Sequence, residues 1–384
     1  MPMKYAHSFP LLIKPVSADC NLRCPYCFYL DHMSFYPDQS KHRMSDETLN
    51  QLVSSYMATN QPVYTFIWQG GEPTLLGLEF FRKVTSLQQK YGKQGAGVSN
   101  SLQTNATLIT DELAQHFAQY RFLVGVSLDG PPNIHNRYRR YPDGKGSYSD
   151  VKKAISCLRR HRVDFNILTL VTEANVNRAR ELYRYFSDQG LLFQQYIPCV
   201  GFDVDGHLQP YSISGKAWGL FLCQLFDEWR LRDTRRVSIR LFDSIIQKLV
   251  FGRPADCNMD NDCRKYFVVE YNGDVYPCDF FVSHELKLGN IFTDSWEKLV
   301  NSPVYKEFGT RKSALSDACN NCEYLAFCNG DCPRRRTVKK GLHASPSVLC
   351  AGWRLFFKHS FSEFERLAAE IKTELGPVIP TEKI

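Results

Sequence analysis

LLIKPVSADCNLRCPYC, residues 11–27, joins a short apolar run to three cysteines with three and then two residues between them. LLIKPV has the aliphatic and β-branched content of a strand. Cys20, Cys24 and Cys27 follow on one short loop. Three thiolates so close can hold three irons of a cubane cluster, leaving the fourth iron open to a small molecule. A closed structural zinc site takes four ligands, usually from two CxxC units. His32, the nearest further candidate, stands beyond an aromatic stretch. The spacing favours the cluster and keeps zinc as its rival.

Outward from this segment, strand-like runs recur at 63–69, 98–104, 122–129, 165–172 and 193–200. Amphipathic helical stretches separate them, near 45–58, 78–92, 110–121, 148–162 and 176–188, with a sixth at 214–232. Ser45 with Thr48, and Thr110 before Asp111 and Glu112, suit helix starts. Six strands alternating with six helices predict a parallel α/β architecture, without choosing between an open and a closed sheet. In such folds functional groups gather after the carboxyl ends of strands. The unusual residues do follow strands: the three cysteines, GGEP at 70–73, Asn105, and Asp129-Gly130.

The pattern changes near residue 235. RVSIRLFD (236–243) reads as a strand and FDSIIQKLVFG (242–252) as a short helix. YNGDVYPCD (271–279) carries Asn272-Gly273, a strong hairpin signal. A long helix rich in Phe and Leu is expected near 351–375. The chain divides on this reading into residues 1–235 and 236–384, the second part having little core of its own and using metal as a staple.

Fourteen cysteines are too many to pass without a reason. The N-terminal apolar run is short for a signal peptide and lacks a small-residue cleavage site, so the chain is expected in the cytoplasm, and no stretch reaches membrane-spanning length. Disulfides are disfavoured in that compartment, which turns the cysteines towards metal or catalysis. Cys157, Cys199 and Cys223 stand apart within apolar segments and read as small buried hydrophobes. The other eight lie in the second part. Cys257, Cys263 and Cys278 have gaps of five and fourteen; Cys319, Cys322, Cys328 and Cys332 have gaps of two, five and three; Cys350 follows after seventeen. Eight cysteines can saturate two [4Fe–4S] clusters, while a zinc ribbon built on CNNC and CNGDC stays open. The net charge of +7 lies in short runs, RRHR (159–162), RLRDTRR (230–236) and PRRRTVKK (333–340). These read as solvated surface rather than a nucleic-acid site. A zinc-stapled nucleic-acid-binding module is the non-enzyme alternative.

CxxxCxxC after a first strand, with Tyr26 before the third cysteine and GGEP after the second strand, resembles the radical S-adenosylmethionine superfamily. The resemblance implies a [4Fe–4S] cluster on Cys20, Cys24 and Cys27, and a glycine-rich segment that receives the methionine end of S-adenosyl-L-methionine (AdoMet). The later cysteines resemble the SPASM extension of that superfamily. Carried over, Cys257, Cys263, Cys278 and Cys332 hold one auxiliary cluster, and Cys319, Cys322, Cys328 and Cys350 a second. LLIKPVSADCNLRCPYCFY, FIWQGGEPTL, NSLQTNATLI, GVSLDGPPNIHNRYR, VVEYNGDVYPCDFF and LGNI narrow the resemblance to the anaerobic sulfatase-maturating enzymes, over almost the whole chain.

That family implies a partial (β/α)6 TIM-like barrel with a C-terminal iron–sulfur SPASM domain, three [4Fe–4S] clusters and AdoMet. It implies oxidation of a sulfatase Cys or Ser to Cα-formylglycine. Asp279 matches the proton acceptor. Tyr26, Gly71, Ser127, Arg139 and Val200 match AdoMet contacts, and Tyr29, Gln103 and Asn105 line the peptide site. The implied partners are an unfolded or nascent sulfatase polypeptide and a reduced flavodoxin- or ferredoxin-type electron donor, with no nucleic acid and no membrane. By the same implication, AdoMet cleavage yields a radical that removes a substrate β-hydrogen, and the second electron leaves through an auxiliary cluster. A SPASM peptide maturase forming a thioether crosslink is the alternative. An early first strand, with no room for a leader-peptide domain, is expected to disfavour it. The motifs do not choose between a Cys and a Ser target.

Overall fold

The computed structural model describes residues 8–32, 35–37, 41–336 and 345–376. The start of the N-terminal stretch and residues 337–340 of the last basic run lie outside the described residues. In chain order the structure begins with β1 (Leu11–Lys14), α1 (Asp46–Ala58), β2 (Val63–Trp68), α2 (Gly77–Tyr91), β3 (Gly97–Thr104), α3 (Asp111–Gln119) and β4 (Leu123–Ser127). Then come α4 (Pro132–Tyr138), α5 (Tyr148–Arg160), β5 (Phe165–Val171), α6 (Ala179–Asp188), β6 (Phe193–Pro198), α7 (Gly215–Arg232), β7 (Ser238–Ile239) and α8 (Arg240–Phe251). The C-terminal part holds β8 (Phe267–Glu270), β9 (Asp274–Tyr276), β10 (Gly289–Asn290), α9 (Trp296–Val300), α10 (Pro303–Arg311), α11 (Asp317–Asn320), α12 (Leu325–Cys328) and α13 (Cys350–Leu375).

Two compact units emerge: Met1–Thr169 with Cys263–Thr310, and Leu170–Asp262 with Arg311–Ile384. In the first, β1 pairs in parallel with β2, β2 with β3, β3 with β4 and β4 with β5. The other edge of β1 pairs in parallel with β8, Leu11 opposite Phe267 and Lys14 opposite Glu270. β9 and β10 continue antiparallel from there. Every residue of β1, β8 and β9 is buried, as parallel strands covered on both faces require. The cysteine-rich C-terminal region thus contributes strands to a buried sheet. Ser45 and Thr110 cap α1 and α3, accepting from the amides of Thr48 (3.0 Å) and Leu113 (3.3 Å).

In the second unit β6 pairs in parallel with β7, and α13 packs on α7 and α8. A Cβ on Gly219 of α7 would stand 2.7 Å from the Cα of Gly352 on α13, so the two helices cross backbone to backbone. Phe226, Trp229, Phe242, Phe356 and Phe364 pack together beside the crossing. Full burial contributes about 1.5–3 kcal/mol for each such side chain.

One expected strand needs correction, and one helix is new. RVSIRLFD is a strand only at Ser238–Ile239, and α8 starts at Arg240. Leu241, Phe242 and Ile245 are buried on one helical face, and that period outweighs a short β-branched run. The helix Pro132–Tyr138 was not anticipated; Pro132 at its first turn supplies a preset φ. Among the isolated cysteines, Cys157 and Cys199 are buried as expected and Cys223 is half-buried. Among the described residues, no helix is long and apolar enough to cross a membrane.

Candidate active site

The loop after β1 is shaped by the glycines after β2. Gly71 N–H donates to Ser17 O (2.7 Å) and Glu72 N–H to Asp19 O (2.8 Å). A Cβ on Gly71 would stand 1.9 Å from Asp19 O, and Gly70 has φ +119°. The GGEP glycines are therefore demanded by the backbone that leads into Cys20. Glu72 points inward and is fully buried. Its carboxylate accepts from Thr74 N–H (3.0 Å), Thr104 Oγ1 (2.7 Å) and Asn105 N–H (2.7 Å), tying the end of β3 to this loop. Burial raises its pKa against those bonds.

Cys20 Sγ accepts from Leu22 N–H (3.4 Å) and Asn105 Nδ2 (3.6 Å), and Cys27 N–H donates to Cys24 O (3.0 Å). Burial pushes Cys20 up to about 11 and Cys24 up to about 12, with the neighbouring thiols adding to both. Three thiols gathered on one loop, with amide donors aimed at Cys20 Sγ, suit a metal cluster that takes the place of their protons. Asn105 also donates from Nδ2 to Asn21 Oδ1 (2.8 Å), so it stands against the loop that carries Cys20.

Around the end of β4, Asp129 is the hub. Tyr26 Oη donates to its Oδ2 (2.7 Å), and Arg139 reaches it through Nε (2.8 Å) and Nη2 (3.2 Å). Burial works against ionisation of Asp129, but Arg139 prevails and holds the carboxyl below its ordinary range. His135 Nδ1 accepts from Asp129 N–H (3.3 Å), and its Nε2 lies 3.0 Å from Ser147 Oγ, which donates to Arg139 O (3.0 Å). That pattern assigns the proton to Nε2. Ser127 accepts from Gln103 Nε2 (3.1 Å). Tyr26, Arg139 and Ser127 are thus locked by neighbours of which Asp129 was noted only as a strand end, and His135 gave no signal.

Asp279 follows the β8–β9 hairpin and is 4% exposed. Its Oδ2 accepts from Tyr29 Oη (2.5 Å) and Gln69 Nε2 (3.1 Å), and Gln69 also donates to Tyr29 Oη (3.0 Å). Lys14 Nζ lies 3.8 Å from Asp279 Oδ1 and 2.6 Å from Glu270 Oε1, and 4.8 Å from the Tyr29 ring centroid. Lys14 and Glu270 are fully buried, and the β1–β8 register sets them opposite each other. Burial, then the charge of Asp279, raises the Tyr29 phenol well above its ordinary value, keeping it a donor. Lys14, Gln69 and Glu270 were missed. The one available signal was a lysine inside the apolar run LLIKPV.

In the second unit Cys319, Cys322, Cys328 and Cys350 come together. Burial pushes Cys328 up to about 12, with Asp331, Cys350 and Cys319 adding to it, and burial, Cys319 and Cys322 raise Cys350. Asn329, Gly330 and Asp331 all have positive φ (44°, 71° and 61°), a left-handed turn between Cys328 and Cys332. Cys257 and Cys332 belong to this unit, Cys257 exposed. Cys263 and Cys278 belong to the first, where Tyr266 Oη lies 3.5 Å from Cys278 Sγ. Val200, half-buried after β6, lies in the second unit.

The model of the radical SAM superfamily matches residues 15–186, and that of an iron–sulfur cluster-binding SPASM domain matches 257–323. A serine-type anaerobic sulfatase-maturating enzyme of Bacteroides thetaiotaomicron is 35% identical over 97% of this chain and 94% of its own length. A cysteine-type anaerobic sulfatase-maturating enzyme of Clostridium perfringens is 36% identical over 94% of this chain and 99% of its own. The solved structure of native anSMEcpe with bound AdoMet matches with a TM-score of 0.87 at 35% identity, covering 94% of this chain and 99% of that one.

Proposed function

The chain belongs to the anaerobic sulfatase-maturating enzymes, radical SAM proteins with a TIM-like α/β fold and a SPASM extension, and from that membership we propose that it oxidises a Cys or Ser of an unfolded or nascent sulfatase polypeptide to Cα-formylglycine. The observation that carries the reading is Asp279: a buried carboxylate held by Tyr29 and Gln69 in the same unit as Cys20, Cys24 and Cys27.

The family implies AdoMet and iron–sulfur clusters. We assign three [4Fe–4S] clusters, on Cys20, Cys24 and Cys27; on Cys257, Cys263, Cys278 and Cys332; and on Cys319, Cys322, Cys328 and Cys350. When bound, these groups supply the abstraction of a substrate β-hydrogen and a sink for the electron left behind. The chain's own residues do the rest. Asp279 takes the thiol or hydroxyl proton as general base. Tyr29 and Gln69 fix one carboxylate oxygen, and Lys14 stands at the other. Asp129 holds Tyr26 and Arg139 in one arrangement, which supports their assignment with Gly71, Ser127 and Val200 as AdoMet contacts. Preset geometry of this kind lowers the ordering cost of binding.

The superfamily match falls before residue 235 and the SPASM match after it, which supports a functional division into 1–235 and 236–384. Clusters ligated by so many thiolates suit the reducing cytoplasm, with a reduced flavodoxin- or ferredoxin-type protein as electron donor. Anaerobic reconstitution with a chemical reductant, AdoMet and paired Cys and Ser peptides tests the proposal. The expected result is an aldehyde product by mass spectrometry. A crosslinked product, or zinc without sulfide on metal analysis, overturns it.

A further inference from the structure

The buried cations of the second unit do not balance. Lys312, 1% exposed, donates from Nζ to Cys257 O (2.6 Å) and Asn258 O (2.9 Å). Among the described residues no carboxylate stands within ion-pair distance of it. Arg336, 8% exposed, likewise donates only to carbonyls: Gly330 (2.8 Å), Lys312 (3.0 Å), Ala314, Asn329 and Asp331 (each 3.2 Å). Arg335 alone has a buried carboxylate partner, Asp331 at 2.8 Å. Three buried cations therefore face one buried anion around the turn from Cys328 to Cys332. Of the half-buried groups nearby, Lys248, on the carbonyls of Met259 and Ala326, has Asp260 close to it, and Asp256 lies near Arg335; neither carboxylate is within ion-pair distance of Lys312.

Carbonyl dipoles satisfy an ammonium's hydrogens but bring no opposite charge, and a buried charge left without one is strongly penalised. The missing counter-charge is at hand in the ligand assignment above. A tetrathiolate [4Fe–4S] cluster is an anion, and Lys312 grips the backbone of one of its assigned ligands, Cys257. A second assigned ligand, Cys332, precedes the short turn Pro333–Arg335, and the next residue, Arg336, donates to Lys312 O (3.0 Å). We propose that Lys312 is the buried counter-cation of the auxiliary cluster that Cys257 and Cys332 help to hold, and that it raises that cluster's reduction potential so the cluster can take the substrate's second electron. Reduction adds negative charge to the cluster, and a fixed cation nearby favours the more negative form. The inference rests on the cluster assignment in Proposed function and adds a residue outside the cysteine set.

The test is a redox titration of the anaerobically reconstituted full chain, followed by electron paramagnetic resonance without AdoMet or peptide. Lys312→Gln keeps a donor to the carbonyls and removes the charge; Lys312→Arg keeps the charge. The expected result is an auxiliary-cluster potential displaced to more negative values in Lys312→Gln and near wild type in Lys312→Arg. Lys248→Gln, at a more exposed cation, should displace it less. The displacement should persist at high salt, because a buried charge is little screened. Unchanged potential in Lys312→Gln, or equal displacement in both Lys312 variants, overturns the proposal. If Lys312→Gln takes up too little iron to titrate, iron retained by Lys312→Arg supports the counter-cation, and loss from both overturns it. Wild-type protein with iron for only the first cluster overturns the ligand assignment itself, a different failure.

Discussion

The two units differ in how they partner buried cations. In the first, the buried Lys14 faces Glu270 at 2.6 Å and the half-buried Arg139 faces the buried Asp129 at 2.8 Å. In the second, Arg335 has Asp331 at 2.8 Å, but among the described residues Lys312 and Arg336 answer only to carbonyl oxygens. Matched pairs hold polar side chains in one orientation, which a proton acceptor and a ligand cradle both need. Unmatched cations are tolerable where an anion arrives with the cofactor.

The sharpest break in this comparison is at Asp279. Asp279→Asn removes the proton acceptor and leaves the Lys14–Glu270 pair in place. Formylglycine yield should fall about 10²–10⁴-fold while iron content stays at wild type; a yield within a few-fold of wild type refutes the assigned base. Next comes Lys14→Met, which orphans Glu270 in a dry interior. It should cost about 3–5 kcal/mol in urea denaturation. The double variant Lys14→Met with Glu270→Leu should recover part of that loss, because Glu270 no longer stands unpaired and only Asp279, 3.8 Å from Lys14, still lacks its cation. If the double variant is no more stable than the single one, the pair is not what holds this part of the sheet.

A smaller effect comes from His135, which burial pushes down to about 4. Between that value and an unfolded value near 6.5 the unfolded chain binds the proton and the native one does not. The contribution is fully present above pH 6.5 and is lost as pH falls towards 4, about 3 kcal/mol in all. His135→Asn should flatten the slope of stability against pH in that window; an identical slope would show that His135 titrates freely. Smallest is the cap of α1. Ser45→Ala removes the bond to Thr48 N–H and should lower stability by about 1 kcal/mol, with no change in AdoMet cleavage.

The sequence was legible where chemistry or periodicity is local. Cys20, Cys24 and Cys27 lie within one loop, so their spacing is their geometry. The six strands and the caps at Ser45 and Thr110 need only neighbours a few residues away. The start of α8 was lost because RVSIRLFD is short enough to satisfy both periods. His135 was lost because nothing in NIHNRYR tells that one ring joins Asp129 to Ser147.

What the sequence determined by itself was the inventory: a three-cysteine loop after a first strand, glycines after the second, eight later cysteines and an aspartate beside one of them. Only the tertiary structure decided which buried groups those residues answer to. The parallel pairing of β1 with β8 puts Lys14 opposite Glu270, and Tyr29 meets Asp279 across 250 residues of chain. Strand register is a cooperative property of the sheet's whole apolar pattern, so no window of sequence around Lys14 or Asp279 contains it.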